Sequence, residues 1–522
     1  MQMKWICLSG LVVALVGSGA PAGDQPQWGQ RLSRNQVSPE TGLPDTFDVE
    51  KALNVKWVAP LGDQSYCTPI VADGRVYIGT NNERPRDPKH RGDRAVLMCL
   101  DERDGHLLWQ LVVPKLSADL DDPYLDWPKV GHSSEPTIEG DRAYTLTNRG
   151  EVVCLDVRGL SNGNDGPYRD EARHLAPRGQ PPVEPGRTDA DIVWLCDLRA
   201  EVGIRTHDQV HGSILIDGDL LYVNSCNGVD STHRKIRTPD APSLVVLDKR
   251  TGKVVAQDRM GIGPKTFHCT WSSPSLGVVN GKKLIFFGGP DGVCYAFNAL
   301  DKPPADGQVA TLNNVWRFDC DPNAPRADGG DVHVFVSNRR EGPSEILGMP
   351  VFVDGRVYVV AGGDLWWGKH HSVLKCIDAS GTGDITPTAQ VWSYDMPRES
   401  CATPAVYKDL IFVADCGGTI HCVDRASGKG LWSHKAGGEI WGSPLVADGK
   451  VYVGTRRGEF VVLAAAREKK LIATVHLEAG ESINGTVTAA NGVLYVPTMT
   501  RLFALQKQAA ASAGAIGGPD ER

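Results

Sequence analysis

Short hairpins recur along this chain and limit what it can fold into. In each copy a run of β-forming residues ends in a glycine-containing turn, and a second such run follows. The turns are Asp73-Gly74, Glu139-Gly140-Asp141, Asp217-Gly218-Asp219, Asn280-Gly281, Asp354-Gly355, Asp448-Gly449 and Asn491-Gly492. Asp-Gly and Asn-Gly favour type I′ turns, whose two central residues take positive φ, so these pairs predict tight β-hairpins. An eighth copy, at Lys408-Asp409, lacks the glycine.

Each hairpin belongs to a longer unit, seen most clearly at 400–438. This stretch divides into four short β-forming runs, with a Ser427-Gly428 turn between the last two. The third run of a unit ends in an apolar residue followed by Asp or Asn, as at Val423-Asp424, and the fourth carries Trp, as at Trp432. Alanine stands at the tryptophan position in two copies, Ala256 and Ala473. Four strands in about 40 residues is the period of a β-propeller blade.

The last unit, 481–508, ends after three runs and lacks a fourth strand. Near the other end of the chain, Val55-Lys56-Trp57 carries the missing tryptophan signature. We expect this segment to pair with 502–505, because closure removes the exposed sheet edges of an open array. The sequence therefore predicts an all-β fold: an eight-bladed β-propeller of four-stranded blades, closed by an N-terminal strand.

The repeat also resembles a known family. Leu247-Asp248-Lys249-Arg250-Thr251-Gly252-Lys253 is similar to the tryptophan-docking repeat of pyrroloquinoline-quinone (PQQ)-like propellers, although Ala256 replaces the tryptophan in that copy. The resemblance covers 55–508. It implies a relationship to quinoprotein alcohol dehydrogenases, to outer-membrane-assembly scaffolds and to uncharacterised exported proteins.

Four segments are predicted along the chain. Residues 1–22 combine a basic start, an apolar stretch of 12 residues and the Ala20-Pro21-Ala22 cleavage pattern, and so predict a signal peptide. We expect a periplasmic or secreted protein without a transmembrane segment, because a spanning helix needs about 20 apolar residues. Residues 23–53 predict an extended arm lying on the ring, 54–508 a single propeller domain, and 509–522 a disordered tail.

The net charge limits the class of partner. A net charge of −8 argues against a nucleic-acid partner, which would need a basic face, and a closed ring makes a monomer the expectation.

Four cysteines precede the apolar-Asp pair of their unit, where other units have small or aliphatic residues. These are Cys99, Cys154, Cys376 and Cys422, aligned with Val246, Ala296, Leu463 and Ala504. Buried free thiols are favoured over disulfides at these four positions.

The starts of the inner strands predict a binding site at one mouth of the channel, on the face that carries the longer insertions. Alignment of the units places Tyr66, Ser133, His211, Trp271, Leu347, Cys401, Trp441 and Asn484 at one level, with His132 and Cys269 just above. We predict Tyr66, His132, His211, Trp271, Cys401, Trp441 and Asn484 as ligand-binding residues, suited to a flat aromatic ligand. The alternative is that Trp271 and Trp441 plug the channel.

Loops on the same face hold candidate metal ligands and bases. Asp328, Asp331 and His333 share one loop, and Asp364, His370 and His371 share another, while Asp230 and His233 lie in a third. The weak metal candidates are Asp328, His333, His370 and His371, and solvated loop charges are the alternative. If the protein is an enzyme, Asp331 or Asp364 is the predicted catalytic base.

Two functions follow. The first is an exported ligand-binding or protein-interaction scaffold that engages an unknown protein, glycan or small molecule through its loop-rich face. The second, implied by the family resemblance, is a PQQ- and Ca²⁺-dependent quinoprotein alcohol dehydrogenase, with PQQ in the funnel and Ca²⁺ polarising its carbonyl. The chain has no adjacent cysteine pair of the kind typical of those dehydrogenases, so the first function is preferred and enzymatic activity is left open.

Overall fold

Eight antiparallel sheets follow one another along the chain and form a β-propeller. The computed structural model describes residues 23–116, 123–304, 307–478 and 480–508. The predicted signal peptide and C-terminal tail lie outside these residues. Each sheet is built on four strands that follow one another along the chain, apart from the last, whose fourth strand comes from the N-terminal side, and two sheets carry a short fifth strand. The predicted fold class is confirmed.

Blades are numbered in chain order, with their strands counted from the channel outward. The strands of blades 1 to 4 are Ile70–Ala72, Arg75–Asn81, Arg94–Asp101 and Leu107–Pro114; Thr137–Glu139, Arg142–Leu146, Glu151–Asp156 and Ile192–Asp197; Leu215–Asp217, Leu220–Asn224, Leu244–Asp248 and Val254–Gln257; and Ser275–Val279, Lys282–Gly288, Val293–Asn298 and Asn314–Asp319. Those of blades 5 to 8 are Val351–Val353, Arg356–Gly362, Ser372–Asp378 and Gln390–Met396; Ala405–Tyr407, Leu410–Asp415, Thr419–Asp424 and Gly430–Lys435; Leu445–Ala447, Lys450–Gly454, Glu459–Ala464 and Leu471–His476; and Thr488–Ala490, Val493–Pro497, Arg501–Leu505 and Val55–Pro60.

The ring closes as the sequence predicts. Val55–Pro60 pairs antiparallel with Arg501–Leu505, with Trp57 opposite Ala504 and Val58 opposite Phe503. Because the strand is drawn from before blade 1, the two ends of the propeller are joined within one sheet. The pairing leaves blade 8 with the same four-stranded form as its neighbours.

Tryptophans at the rim link neighbouring blades. Six indole Nε1–H groups each donate to a backbone carbonyl between the third and fourth strands of the next blade, at 2.8 to 3.1 Å. The donors are Trp57, Trp109, Trp194, Trp316, Trp392 and Trp432. A buried indole that finds a partner for its N–H contributes apolar area without leaving a polar group unsatisfied. The repeat signature is therefore a contact between blades as well as within them.

Insertions on the opposite face also reach back to the preceding blade. Ala310–Thr311 pairs in parallel with the fourth strand of blade 3, and Gly383–Asp384 does so with that of blade 4. Each adds a two-residue fifth strand that was not predicted. Ala310 lies opposite Ala256, one of the two positions without tryptophan. Strand pairing thus covers the rim of blade 3 where the indole is absent.

The core of each blade is a layered stack of side chains. In blade 1, Tyr77, Cys99 and Trp109 lie opposite one another on three adjacent strands, with 6.0 Å between the Tyr77 and Trp109 ring centroids. A small residue is required between two large rings, which explains the cysteine at this position. Cys99, Cys154, Cys376 and Cys422 are all buried and free, as predicted.

In blade 7, the alignment of the repeat units is wrong by one residue in the third strand. Val462 lies opposite both Tyr452 and Ala473, so it occupies the position expected for Leu463. The prediction was wrong by one residue because this unit has Leu463-Ala464 in place of apolar-Asp, which removed the marker that sets the alignment.

The arm runs through the inside of the ring. The backbone of Gln25 pairs with Val71 in blade 1, Pro26 accepts from Ile138 in blade 2, and Ser38 donates to Val446 in blade 7. Between these points the fully buried Arg34 donates to the carbonyls of Trp28, Ser213 and Pro274 at 2.8 to 3.2 Å. The arm therefore ties the first strands of several blades together around the channel.

Helical structure is confined to short turns among the described residues. These are the helices Glu171–His174, Leu198–Glu201 and His333–Val336 and the 3₁₀ turns Pro123–Leu125, Gly159–Asn162 and Gly263–Lys265. Within the described part of the chain, none is long or apolar enough to cross a membrane.

Candidate functional site

Aromatic side chains surround a cavity at the channel mouth on the loop-rich face. Its volume is about 380 Å³. The lining residues are Gln64, Tyr66, Tyr124, Trp127, Val130, Asp208, Gln209, Trp366, Trp367, Trp441 and Arg456. They come from inner-strand starts and from inter-blade and second-to-third-strand loops, so the cavity opens on the face that carries the longer insertions.

Most of the predicted ligand-binding residues converge on the adjoining space. A smaller cavity of about 100 Å³ is lined by Tyr66, Gln209, His211, Trp271, Leu347, Leu365, Trp366, Cys401, Trp441 and Asn484. His132 is not among these side chains; it is buried, with its Nε2 3.1 Å from Thr145 Oγ1. His211 Nδ1 donates to the carbonyl of Ser133 at 2.9 Å, which fixes the ring beside the cavity.

Two predicted tryptophans differ in exposure. Trp271 is only 5% exposed, and its Nε1 donates to the carbonyl of Gln209 at 2.9 Å. Trp441 is partly exposed, lies 6.3 Å from Tyr66 in a stacked arrangement, and has the Arg456 guanidinium 3.9 Å from its ring centroid. Trp271 therefore forms the floor of the mouth, whereas Trp441 forms part of its wall.

Trp366 completes this wall and was not predicted. Its ring lies nearly perpendicular to Trp441, with 5.7 Å between centroids, and 5.9 Å from Trp271. It belongs to the loop 363–371, whose path no repeat signal describes. Below the mouth, a cavity of about 70 Å³ is lined in part by Trp28 of the arm, whose Nε1 donates to Thr68 Oγ1 at 3.2 Å.

Three histidines from three separate loops meet beside the main cavity. One ring nitrogen from each of His207, His233 and His268 lies within 4.8 Å of the others. His207 Nε2 is 3.0 Å from His233 Nε2. The Asp208 carboxylate, which also lines the main cavity, places one oxygen 3.6 Å from His207 Nε2 and the other 3.6 Å from His268 Nε2.

Carboxylates behind the cluster hold His268 in place. Asp364 Oδ2 lies 2.9 Å from His268 Nδ1, and Asp364 Oδ1 accepts from the backbone N–H groups of Trp366 and Trp367 at 2.9 and 3.0 Å. Glu345 Oε1 accepts from the His268 backbone N–H at 2.6 Å. Burial raises the pKa of Glu345 well above its usual range, with the charge of Asp364 adding to the effect.

The pKa values of the histidines differ because their charged neighbours differ. Burial lowers the pKa of His207 to about 3, and the other imidazoles add to this. Burial also disfavours a charged His268, but Asp364 and Asp208 outweigh it and raise the pKa of His268 to about 10. Without an ion, the cluster therefore carries its proton on the imidazole between the two carboxylates.

The predicted metal ligands and bases do not gather at this point, apart from His233 and Asp364. Asp331 Oδ2 accepts from Arg234 at 2.5 Å on the surface, and Asp328 and His333 are exposed on the same loop. His370 Nδ1 lies 2.7 Å from Glu399, and His371 Nε2 lies 3.3 Å from Asp395. Asp364 is paired with His268 in place of the predicted His370 and His371.

Comparison with known proteins agrees with the fold. A family model described as outer membrane protein assembly factor BamB matches residues 51–170 and 370–509. A curated relative, BamB from Shewanella oneidensis, is 32% identical over 77 residues, which are 14% of this chain and 19% of the relative. The chain thus spans about a fifth of the length of the curated relative it matches.

Solved structures of similar shape include BamB from Moraxella catarrhalis, at 14% identity, with 87% of this chain and 94% of that chain covered and a TM-score of 0.48. A europium-containing methanol dehydrogenase has 11% identity, 91% and 89% coverage and a TM-score of 0.46. The family model and the eight-bladed ring confirm the resemblance to PQQ-like propellers predicted from the repeats.

Proposed function

We propose that this PQQ-like propeller is a binding protein that holds a small, ring-shaped molecule in the aromatic mouth of its loop-rich face. One observation carries the proposal. Among the described residues, the exposed large hydrophobic side chains include two aromatic ones, Trp127 at 39% and Trp366 at 37%, and both line the main cavity. Exposed indole surface at a concave site is apolar area that a ligand can cover.

The shape of the mouth favours a planar or ring-shaped ligand. Tyr66 and Trp441 are close to parallel, at 25°, whereas Trp366 stands at 89° to Trp441. Rings at right angles allow one face of a ligand to stack while its edge meets a second ring. The volume of about 380 Å³ lies within the usual range for small-molecule sites.

Polar groups in the same wall of the cavity can orient a bound ligand. Gln64, Asp208, Gln209 and Arg456 line the cavity among the aromatic rings. A few polar groups within an apolar wall are what distinguishes one ring-shaped ligand from another. Arg456 is held over Trp441 and paired with Glu439 at 2.7 Å, so its position is defined before a ligand arrives.

The experiment is a titration of intrinsic tryptophan fluorescence with three probes: PQQ, riboflavin and maltohexaose. We expect saturable quenching by one probe class, and an affinity roughly 2- to 12-fold weaker in Trp366→Ala, since stacking on one aromatic ring contributes roughly 0.5–1.5 kcal/mol beyond area burial. The matched control is Val391→Ala, which removes an exposed side chain of 44% exposure from the outer strand of blade 5. Equal affinity in the two variants would exclude the mouth as the site.

The alternative of a PQQ- and Ca²⁺-dependent dehydrogenase is tested by the donor atoms present. Ca²⁺ takes six to eight oxygen ligands, whereas the donor cluster at this mouth is centred on three imidazoles. Asp364 already accepts from His268 and from two backbone N–H groups. These residues do not fit Ca²⁺. We expect that adding Ca²⁺ leaves any PQQ-induced quenching unchanged, and a Ca²⁺-dependent spectrum with alcohol-driven dye reduction would establish the dehydrogenase instead.

Export and partner type belong to the same proposal. We propose that residues 1–22 are removed on export and that the ligand is met in the periplasm or outside the cell. Mass spectrometry of the protein from its native cells should give an N-terminus at Gly23, and an intact leader would contradict export.

A protein or glycan partner on the loop-rich face is tested by the maltohexaose titration and by size-exclusion chromatography, where we expect a monomer.

A further inference from the structure

We propose that His207, His233 and His268 bind a divalent transition-metal ion of the zinc type, with Asp208 supplying a carboxylate as the fourth donor. This inference goes beyond the ligand-binding function and is independent of it. It is carried by the convergence of the donor atoms, by the groups that orient them and by a buried nitrogen that has no hydrogen-bond partner among the described residues.

The distances between donors approach those of a tetrahedral site. Zinc–nitrogen bonds of about 2.0–2.1 Å separate neighbouring nitrogens in a tetrahedron by roughly 3.3 Å. The Nε2 atoms of His207 and His233 are 3.0 Å apart. Asp208 lies 3.6 Å from both His207 Nε2 and His268 Nε2, one oxygen toward each. Small movements of His268 toward the pair would bring four donors to one point.

His268 has the surroundings of a metal ligand. Its Nδ1 is 2.9 Å from Asp364 Oδ2, and Asp364 is held in turn by two backbone N–H groups. A carboxylate behind an imidazole fixes the tautomer and directs the other nitrogen to the ion. Asp364 is thus a positioning residue in this site.

The other nitrogen of His268 lacks a hydrogen bond. His268 is fully buried, and its Nε2 has no hydrogen-bond partner among the described residues. A buried polar atom left in this state costs about 1–3 kcal/mol. The 3.6 Å contact with Asp208 is too long for a hydrogen bond, whereas coordination to an ion, with release of the Nε2 proton to solvent, would satisfy this nitrogen.

The donor set selects the class of ion. Imidazole nitrogen suits Zn²⁺, Cu²⁺, Ni²⁺ and Fe²⁺, whereas Mg²⁺ and Ca²⁺ prefer an all-oxygen site. Three histidine nitrogens and one carboxylate oxygen supply the four ligands of a tetrahedral zinc site. Asp208 lines the cavity, so the ion would lie at its edge.

The test uses tag-free protein stripped with EDTA, dialysed and then titrated with ZnCl₂, with metal content measured by mass spectrometry and heat by calorimetry. We expect one equivalent of Zn²⁺ in the wild type and a loss of that equivalent in His233→Ala. His233 is only half-buried, so the substitution leaves the core intact. The matched control is His371→Ala, a histidine of the same face that pairs with Asp395, and it should retain the ion.

Two further measurements do not depend on deleting a ligand. Asp364→Asn keeps the acceptor for the two backbone N–H groups and should weaken zinc affinity about 10- to 100-fold, the range for residues that orient metal ligands. Co²⁺ added to the stripped wild type should give the intense visible bands of a four-coordinate ion. No zinc uptake, equal uptake in His233→Ala and His371→Ala, or the weak spectrum of six-coordinate Co²⁺ would each overturn the proposal.

The outcome is separable from that of the ligand-binding proposal. Zinc uptake is measured without any organic molecule, and Trp127→Ala, which removes an aromatic side chain from the cavity, should still take up one equivalent. A wild-type protein that takes up zinc but shows no quenching by any probe would reject only the binding function, and quenching without zinc uptake would reject only the metal site.

Discussion

The indole of Trp57 in the closing strand donates its Nε1–H to the carbonyl of Glu102 in blade 1, at 3.0 Å. The same ring lies against Gly105, where an added Cβ would come within 2.7 Å of the indole. One residue of the N-terminal strand therefore belongs to the sheet of blade 8 and seals it to blade 1. The contact repeats the docking seen at the other rim tryptophans, so the ends of the chain are joined by the same interaction that joins consecutive blades.

Gly105→Ala should weaken ring closure. Both Gly105, at φ +76°, and Gly74, at φ +72°, have the left-handed conformation that disfavours a side chain, but nothing lies within 4 Å of a Cβ at Gly74. Gly74→Ala is thus the matched control for backbone strain. We expect Gly105→Ala to reduce the free energy of unfolding by about 2 kcal/mol more than the control, as overpacking usually does. Urea unfolding midpoints measure the difference, and equal midpoints would show that the Trp57 contact contributes nothing.

Arg34→Leu should destabilise the ring through the arm. Arg34 is fully buried and donates to three backbone carbonyls and to Ser213 Oγ, so leucine would leave these acceptors without their donor. We expect a loss of about 3 kcal/mol in the free energy of unfolding. Arg31→Leu, three residues earlier, is the control, because Arg31 is exposed and its contact with Glu139 is 3.8 Å long. Its effect should stay within about 0.5 kcal/mol.

His132 should make stability fall with acid. Burial lowers the pKa of His132 to about 4 in the folded protein, against about 6.5 in the unfolded chain. The unfolded state therefore binds a proton that the folded state does not, and stability decreases as the pH falls from 6.5 to 4, by about 3 kcal/mol in total. His132→Gln cannot take up this proton and keeps a polar partner for Thr145. The variant should show a shallower decline in unfolding free energy over this range, and identical slopes would contradict the prediction.

The described cysteines should behave as buried thiols. All twelve are free, and all but the partly exposed Cys401 are buried. Burial raises the pKa of Cys154 to about 12 and so suppresses its thiolate. With a thiol-specific dye, no reductant and protein that lacks residues 1–22 and therefore Cys7, we expect twelve reactive groups in guanidinium chloride and one in the native protein, which Cys401→Ser should remove. Fewer than twelve in denaturant would reveal disulfides, with Cys401 and Cys416, whose sulfurs are 3.9 Å apart, as the first pair to test.

Much of the mouth could be predicted because it is built from repeated positions. Tyr66, His211, Trp271, Cys401, Trp441 and Asn484 precede equivalent inner strands, so alignment of the units is sufficient to place them together at one level. The one-residue error at Leu463 arose where the aligning Asp was missing. His132 shows the limit of this approach, because one residue of displacement along the strand turned its side chain away from the cavity and into the packed blade.

The histidine cluster could not be found in the same way. His207, His233 and His268 are separated along the chain by 26 residues or more and lie in three different loops outside the repeated strands. The sequence paired Asp364 with His370 and His371, its neighbours in the chain, whereas the folded loop pairs it with His268. Sequence proximity was a poor guide there because loop direction depends on packing against other loops.

The sequence by itself determined the number of blades, the turns between their strands and the identity of the strand that closes the ring, since turn conformation and strand alternation are local properties repeated eight times. Only the tertiary structure decided that the arm ties the first strands together inside the ring, that Trp366 and Trp127 complete an aromatic mouth and that three histidines meet beside it. The physical reason is that all three features depend on contacts between segments outside the repeat. These segments come together only after the ring has fixed the positions of their ends.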